Sequence, residues 1–152
     1  MIEYTIPGHP MSVNHMYGST KNGRRFLKKE GKTWKENVAL ECLSKFGRIN
    51  STEPIIVQII YFFPDNHRRD VSNYDKILLD TLSGVLYVDD SQIQCASLHK
   101  FVDKKNPRTM IRLWRVEDTE EAVKLITEAL AMCKSRVVPT LWNQDTGSTS
   151  IV

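Results

Sequence analysis

Apolar and polar residues alternate along Ile2-Glu3-Tyr4-Thr5-Ile6, a two-residue period that predicts a strand ended by Pro7-Gly8. The next recurrence is helical. Trp34, Val38, Cys42 and Phe46 return at every fourth position and predict an amphipathic helix over about 30–46, with Gly47 just past its end. Ile55 to Phe63 is nearly all β-branched or aromatic and too short for a long helix, so it predicts a central strand, stopped by Pro64. Tyr74, Leu78, Leu82 and Val85 form a second helical stripe, with Gly84 near its C-terminus. Gln92 to Val102 and Thr109 to Val116 predict two more strands, joined by the turn Lys104-Lys105-Asn106-Pro107. Thr119 to Lys134 predicts a third helix, whose acidic first turn suits the positive end of its dipole. Its stripe of Ala122, Leu125, Ile126, Ala129, Leu130 and Cys133 must be buried, on the sheet or across a dimer. His9 to Lys29, rich in Gly and Lys, reads as an irregular loop, and Pro139 to Val152 as a loosely held tail. There are no internal repeats. The order β-α-β-α-β-β-α predicts an α+β domain, a small mixed β-sheet covered by helices.

Composition narrows the class. A chain of 152 residues is one domain by size and can bury a core without disulfides or a structural metal. Its 41% hydrophobic and 26% charged residues are ordinary for a globular protein and argue against disorder, collagen or coiled coil. No apolar run approaches the length of a membrane span. The N-terminus lacks a basic segment followed by an apolar stretch, and Cys42, Cys95 and Cys133 are scattered and odd in number. Both features predict a cytoplasmic protein with free thiols.

The net charge of +3 hides an asymmetry: residues 117–152 carry −3 and the first 116 carry +6. Between Lys21 and Glu36 lie Lys21, Arg24, Arg25, Lys28, Lys29, Lys32 and Lys35 against Glu30 and Glu36. Such a run is either a solvated face or a phosphate-binding arm that displaces the counterions of nucleic acid. Tyr17 and Phe26, set within it, either stack on exposed bases or anchor the loop.

Candidate chemistry concentrates in His67-Arg68-Arg69-Asp70-Val71-Ser72-Asn73-Tyr74-Asp75-Lys76, followed by Asp80, Gly84 and the pair Asp89-Asp90. The segment leaves the central strand, enters a helix and returns in a loop with two carboxylates. Converging carboxylates repel unless a cation sits between them, and hard oxygen ligands favour Mg2+ or Mn2+ over Zn2+. With Arg68, Arg69 and Lys76 around it, such a site suits phosphodiester hydrolysis. The plain alternative is a strand end at Asp70, a solvated Lys76/Asp80 pair and a simple turn at Asp89-Asp90-Ser91. Ser72 three residues before Asp75 predicts a helix N-cap of the capping-box kind. His9, His15, His67 and His99 share no metal-ligand spacing and read as surface or DNA-facing residues. Ser12 and Ser91 show no partner that would make either a nucleophile. Trp34 and Phe46 read as core.

The spacing Arg68-Arg69-Asp70-x-x-Asn73-x-x-Lys76-x-x-x-Asp80-x-Leu82-x-Gly84, then Asp89-Asp90-Ser91-Gln92-Ile93, resembles the central motif of the RusA family, small and often phage- or prophage-encoded Holliday junction resolvases. Pro7-x-x-Pro10-x-Ser12-x-Asn14-x-x-Tyr17 resembles that family's N-terminal loop, and Glu30-Gly31-x-x-Trp34-x-x-Asn37-Val38 the start of its first helix. The likeness covers residues 1–116, a RusA-like endonuclease domain; 117–152 would be a C-terminal helical extension and flexible tail to which nothing is carried over. The resemblance implies a homodimer that binds four-way DNA junctions and resolves them by paired nicks with Mg2+ or Mn2+. It implies Asp70, Lys76 and Asp90 as catalytic residues. Asp70 and Asp90 would be the main metal ligands, with Asp89, Asp75 or Ser72 assisting. Arg68, Arg69, Asn73, Asn14, Lys21, Arg24, Arg25, Lys28, Lys29 and Lys32 would hold the DNA. Position 72, Ser72 here, departs from the family's usual Asp, which leaves open a junction-binding protein that cleaves weakly or not at all.

Overall fold

All nine residues of Ile55–Phe63 are buried. A strand covered on both faces and flanked on both edges needs no polar alternation, which is why this segment reads as a continuous apolar run. In the computed structural model, which describes residues 1–135, this strand, β4 (Ile55–Phe63), is interior to a four-stranded sheet. It pairs parallel with β5 (Ile93–Val102) on one side and antiparallel with β6 (Arg108–Arg115) on the other. β1 (Ile2–Pro7) pairs antiparallel with β6, giving the order β1-β6-β4-β5. The turn between β5 and β6 therefore closes no hairpin, because β4 lies between them. That turn is held by Asp103, whose carboxylate accepts the N–H groups of Lys105 and Asn106 and pairs with Arg108 at 2.8 Å. The mixed sheet and its helices make the α+β class expected from the pattern.

The chain divides into two compact units. In the first, built on the sheet, the even-numbered positions of β4 face α4 (Thr119–Ser135). Ile56, Trp114 and Ala122 pack with Leu125 and Ile126, while Ile60, Phe62, Phe101 and Met110 pack with Met132. Ala122 and Ala129 are fully buried as the stripe requires, but Leu130 stays 52% exposed and Cys133 is exposed as well. Leu130 lies about 100° round the helix from Ala129, outside the face that meets the sheet. The tail predicted over 139–152 lies outside the described residues.

The second unit holds residues 10–53 and 68–92. Here α1 (Val13–Met16), α2 (Lys29–Phe46) and α3 (Ser72–Leu82) pack against one another, burying Met16, Val38, Cys42, Tyr74, Leu78 and Leu82. Trp34 and Phe46 are only half-buried. The segment expected to be irregular is ordered. After α1 it forms the hairpin β2 (Tyr17–Ser19) and β3 (Arg25–Leu27), whose turn has Lys21-Asn22 at its centre, closed by the Gly23 N–H on the Thr20 carbonyl, with Gly23 at φ +76°. The stripe through Val85 also outlasts its helix. α3 ends at Leu82, and Gly84, at φ +76°, turns the chain so that Val85 is buried from a loop.

Candidate active site

The chain enters α3 through Arg68-Arg69-Asp70-Val71. Val71 already has helical dihedrals, φ −61° and ψ −32°, so Ser72 falls inside the first turn and does not cap it. Asp70 takes that role. Its carbonyl accepts the Asn73 N–H at 3.2 Å, and its Oδ1 accepts the Ser72 N–H at 3.2 Å and the Ser72 hydroxyl at 2.8 Å. The capping box between Ser72 and Asp75 is thus replaced by an Asp70 cap, and the carboxylate sits at the helix's positive end. Asp75 is half-buried and accepts its neighbour's N–H, that of Lys76, at 2.7 Å. The Lys76 side chain, Arg68 and Asp70 are exposed, while Arg69 and Asn73 are half-buried.

Past α3, the Asp89-Asp90 loop is shaped by one residue that the sequence did not single out as functional. Gln92 Oε1 accepts the N–H groups of Val88 and Asp89, both at 2.9 Å. Its Nε2 donates to the carbonyls of Ser51 at 2.8 Å and Glu53 at 2.9 Å. The loop closes as a 3-10 turn, Asp90–Gln92. Within it Asp89 is engaged by Ser91, whose hydrogen bonds to the carboxylate hold its pKa below the usual range. Asp90 is exposed. The hydroxyl of buried Tyr87 donates to the Leu79 carbonyl at 2.7 Å. Burial pushes the Tyr87 pKa upward, and the charges of Asp90, Asp80 and Asp89 add to the shift. All three of these carboxylates thus oppose ionisation of the buried phenol.

The basic run is largely in water. Lys21, Arg24 and Arg25 lie on the hairpin, and Lys29 and Lys32 on the start of α2, all exposed; Lys28 is half-buried. Asn14 is exposed on α1. Lys32 reaches Glu36 at 3.8 Å, a solvated pair of little energetic weight. His15 and His67 are exposed as expected, and the half-buried ring of His9 lies 5.1 Å from that of Phe63. His99 contradicts the surface reading: it is 4% exposed, on the sheet face that α4 covers. Ser12 has a neighbour that its sequence context does not announce, His15 Nδ1 at 2.7 Å, but Ser12 itself is buried at the start of α1.

Residues 7–114 match the family described as Endodeoxyribonuclease RusA. The chain belongs to the RusA family. It is 30% identical over 90 residues to the crossover junction endodeoxyribonuclease RusA of Escherichia coli K12, covering 59% of this chain and 73% of that protein. The same figures hold for the crossover junction endodeoxyribonuclease of Enterobacteria phage 82. An uncharacterized protein of Bacillus subtilis, YqaN, is 25% identical over 138 residues, covering 76% of this chain and 96% of that protein.

The donor set that this RusA-family chain offers at α3 and the following loop is all oxygen, from Asp70, Asp75, Asp80, Asp89 and Asp90, and in kind it suits Mg2+ or Mn2+. It is not a finished cage. Among the described residues no three His, Cys, Asp or Glu side chains come together as one would require. Mg2+ is commonly held by one or two carboxylates, waters and a substrate phosphate, and Asp70 and Asp90 are exposed carboxylates that would fit such an open site. Among the described residues no helix is long and apolar enough to cross a membrane.

Proposed function

We propose that this protein is a metal-dependent, structure-specific endodeoxyribonuclease that resolves Holliday junctions by paired nicks, acting as a homodimer in DNA recombination and repair. The observation that carries the reading is a single unit bearing the exposed carboxylates Asp70 and Asp90, the Lys76 ammonium and the cationic hairpin and α2 start, in a chain of the RusA family. Asp70 and Asp90 are the main ligands for Mg2+ or Mn2+, with Asp89, Asp75 or Ser72 assisting. When bound, the cation would activate water and offset charge on the leaving oxygen. Lys76 steadies the negative charge that grows on the scissile phosphate. Arg68, Arg69, Asn73, Asn14 and the Lys21–Lys32 cations hold the backbone on either side.

A second reading, junction binding with weak or no cleavage, draws on Ser72 and Asp89. Ser72 supplies a hydroxyl where a further charge would strengthen a cation site, and Asp89 is already engaged by Ser91. One assay separates the two: a synthetic four-way junction incubated with the protein in Mg2+, Mn2+ or EDTA. Paired nicks that need the metal, and that vanish in Asp70→Asn and Asp90→Asn while binding persists, support the nuclease. Tight binding with no nick in either metal supports the second reading. Equal cutting by both variants and the parent would sink the proposed metal site.

A further inference from the structure

Among the Phe, Tyr and Trp side chains of the described residues the most exposed is Phe26, on β3 at the cationic hairpin, with 48% of its surface in water. Across the hairpin its partner in register is Gly18. The outer end of the ring rests where a Gly18 side chain would be: a Cβ there would lie 2.6 Å from Phe26 Cζ. Any larger residue at position 18 would displace the ring, so the pair works as a seat and a plate. An aromatic ring across from a strand glycine does cover backbone. Seated on Gly18, Phe26 still leaves nearly half of its surface in water.

The surroundings say what could use that surface. Arg24 precedes the ring and is exposed; Lys21 projects from the hairpin turn. Arg25 lies over Tyr17, its guanidinium 5.3 Å from that ring's centroid, and Tyr17 is only half-buried. A half-bare ring flanked by cations fits a ligand with a flat apolar face and phosphates on either side. An unpaired nucleobase has that chemistry, and stacking is indifferent to which base it is. We propose that Phe26, seated on Gly18, is the stacking platform for an unpaired base at the branch point of DNA whose phosphates Lys21 and Arg24 engage. The proposal rests on the reading above that this chain binds branched DNA, and deepens it by naming what the hairpin recognises.

The test compares a four-way junction carrying unpaired thymines at its branch with a linear duplex, each titrated at several salt concentrations. Phe26→Leu keeps an apolar cover on Gly18 but has no π-face; Phe26→Tyr keeps the face. Phe26→Leu should bind the junction about ten-fold more weakly and the duplex unchanged, because the loss of a stacked base is a loss specific to unpaired DNA. Its salt slope should match the parent, since no phosphate contact is removed. Phe26→Tyr should restore junction affinity. Parental junction affinity in Phe26→Leu overturns the proposal. So does an equal loss on junction and duplex, which would mean a merely structural ring. If the parent binds both DNAs with a clear salt slope, either of those results fails the platform alone. If the parent binds neither, the nucleic-acid reading itself falls, and the platform with it.

Discussion

Asp70 and Ser72 meet at one oxygen: Asp70 Oδ1 accepts the Ser72 hydroxyl at 2.8 Å and the Ser72 N–H at 3.2 Å. The hydroxyl orients the carboxylate without adding charge. Ser72→Asp replaces this donor with a second carboxylate at hydrogen-bonding range, where like charges in water repel by about 1 kcal/mol. In EDTA the variant should melt about 2–4 °C below the parent. Added Mg2+ should recover that difference and more, since the cation now answers two charges, and nicking should rise. A variant whose Tm does not respond to Mg2+ more than the parent's would separate Ser72 from the metal site.

Gln92 offers a different lever. Its amide ties the Asp89-Asp90 loop to the carbonyls of Ser51 and Glu53. Gln92→Ala removes all four hydrogen bonds while leaving every carboxylate in place. Loosening a catalytic group by about 1 Å can cost about a hundred-fold in rate. The nicking rate of a pre-bound junction should fall by about ten- to a hundred-fold, with junction Kd within about two-fold of the parent. Unchanged single-turnover nicking would remove Asp90, or Gln92's hold on it, from the chemistry.

What the sequence made legible was what local patterning controls. The continuous apolar run of β4 announced an interior strand, and the sheet places the other strand ends within a residue or so of expectation. The hairpin was missed despite Asn22-Gly23, because the charge density around it resembles that of a solvated loop. Ser72 was misplaced because one residue of helical backbone at Val71 decides which side chain caps. Gln92 stood in the motif without a role, because its carbonyl partners Ser51 and Glu53 lie 41 and 39 residues away. His99 read as a surface residue for want of metal-ligand spacing, yet it is buried on the side of the sheet where α4 lies.

The cationic run makes a quantitative forecast. Lys29 and Lys32 are exposed and Lys28 half-buried near the start of α2. If they contact duplex arms, Lys28→Ala, Lys29→Ala and Lys32→Ala together should weaken junction binding at low salt. Each lost contact should flatten the slope of log K against log salt by about 0.9. A parental slope would return these lysines to the solvated face that their composition also allows.

The last prediction concerns the buried polar row beneath α4. Arg112 Nε donates to Glu3 Oε2 at 2.6 Å, and Arg112 Nη1 donates to Gln58 Oε1 at 3.3 Å. Because a guanidinium has only donors, it turns the Gln58 oxygen toward itself and the Gln58 Nε2 toward His99 Nε2, 3.4 Å away. The same Nε2 of Gln58 reaches the Leu125 carbonyl of α4 at 3.5 Å. His99 Nε2 must then accept, with Ser97 Oγ also at 2.7 Å, and the ring proton sits on Nδ1, facing Cys133 Sγ at 3.9 Å. Protonating His99 would set donor against donor at Gln58, and burial already pushes its pKa below the ordinary 6.5. The native state thus binds fewer protons at this site than the unfolded chain. Stability from His99 is complete above pH 6.5 and is lost as pH falls from there through the depressed native pKa. Urea unfolding at about pH 7.5, 6.5 and 5.5 should show falling stability, the His99 share never steeper than about 1.4 kcal/mol per pH unit. His99→Gln, less stable at neutral pH, should show a visibly shallower fall across the same interval. An identical pH slope in parent and variant would mean that the latch between α4 and the sheet does not titrate through His99.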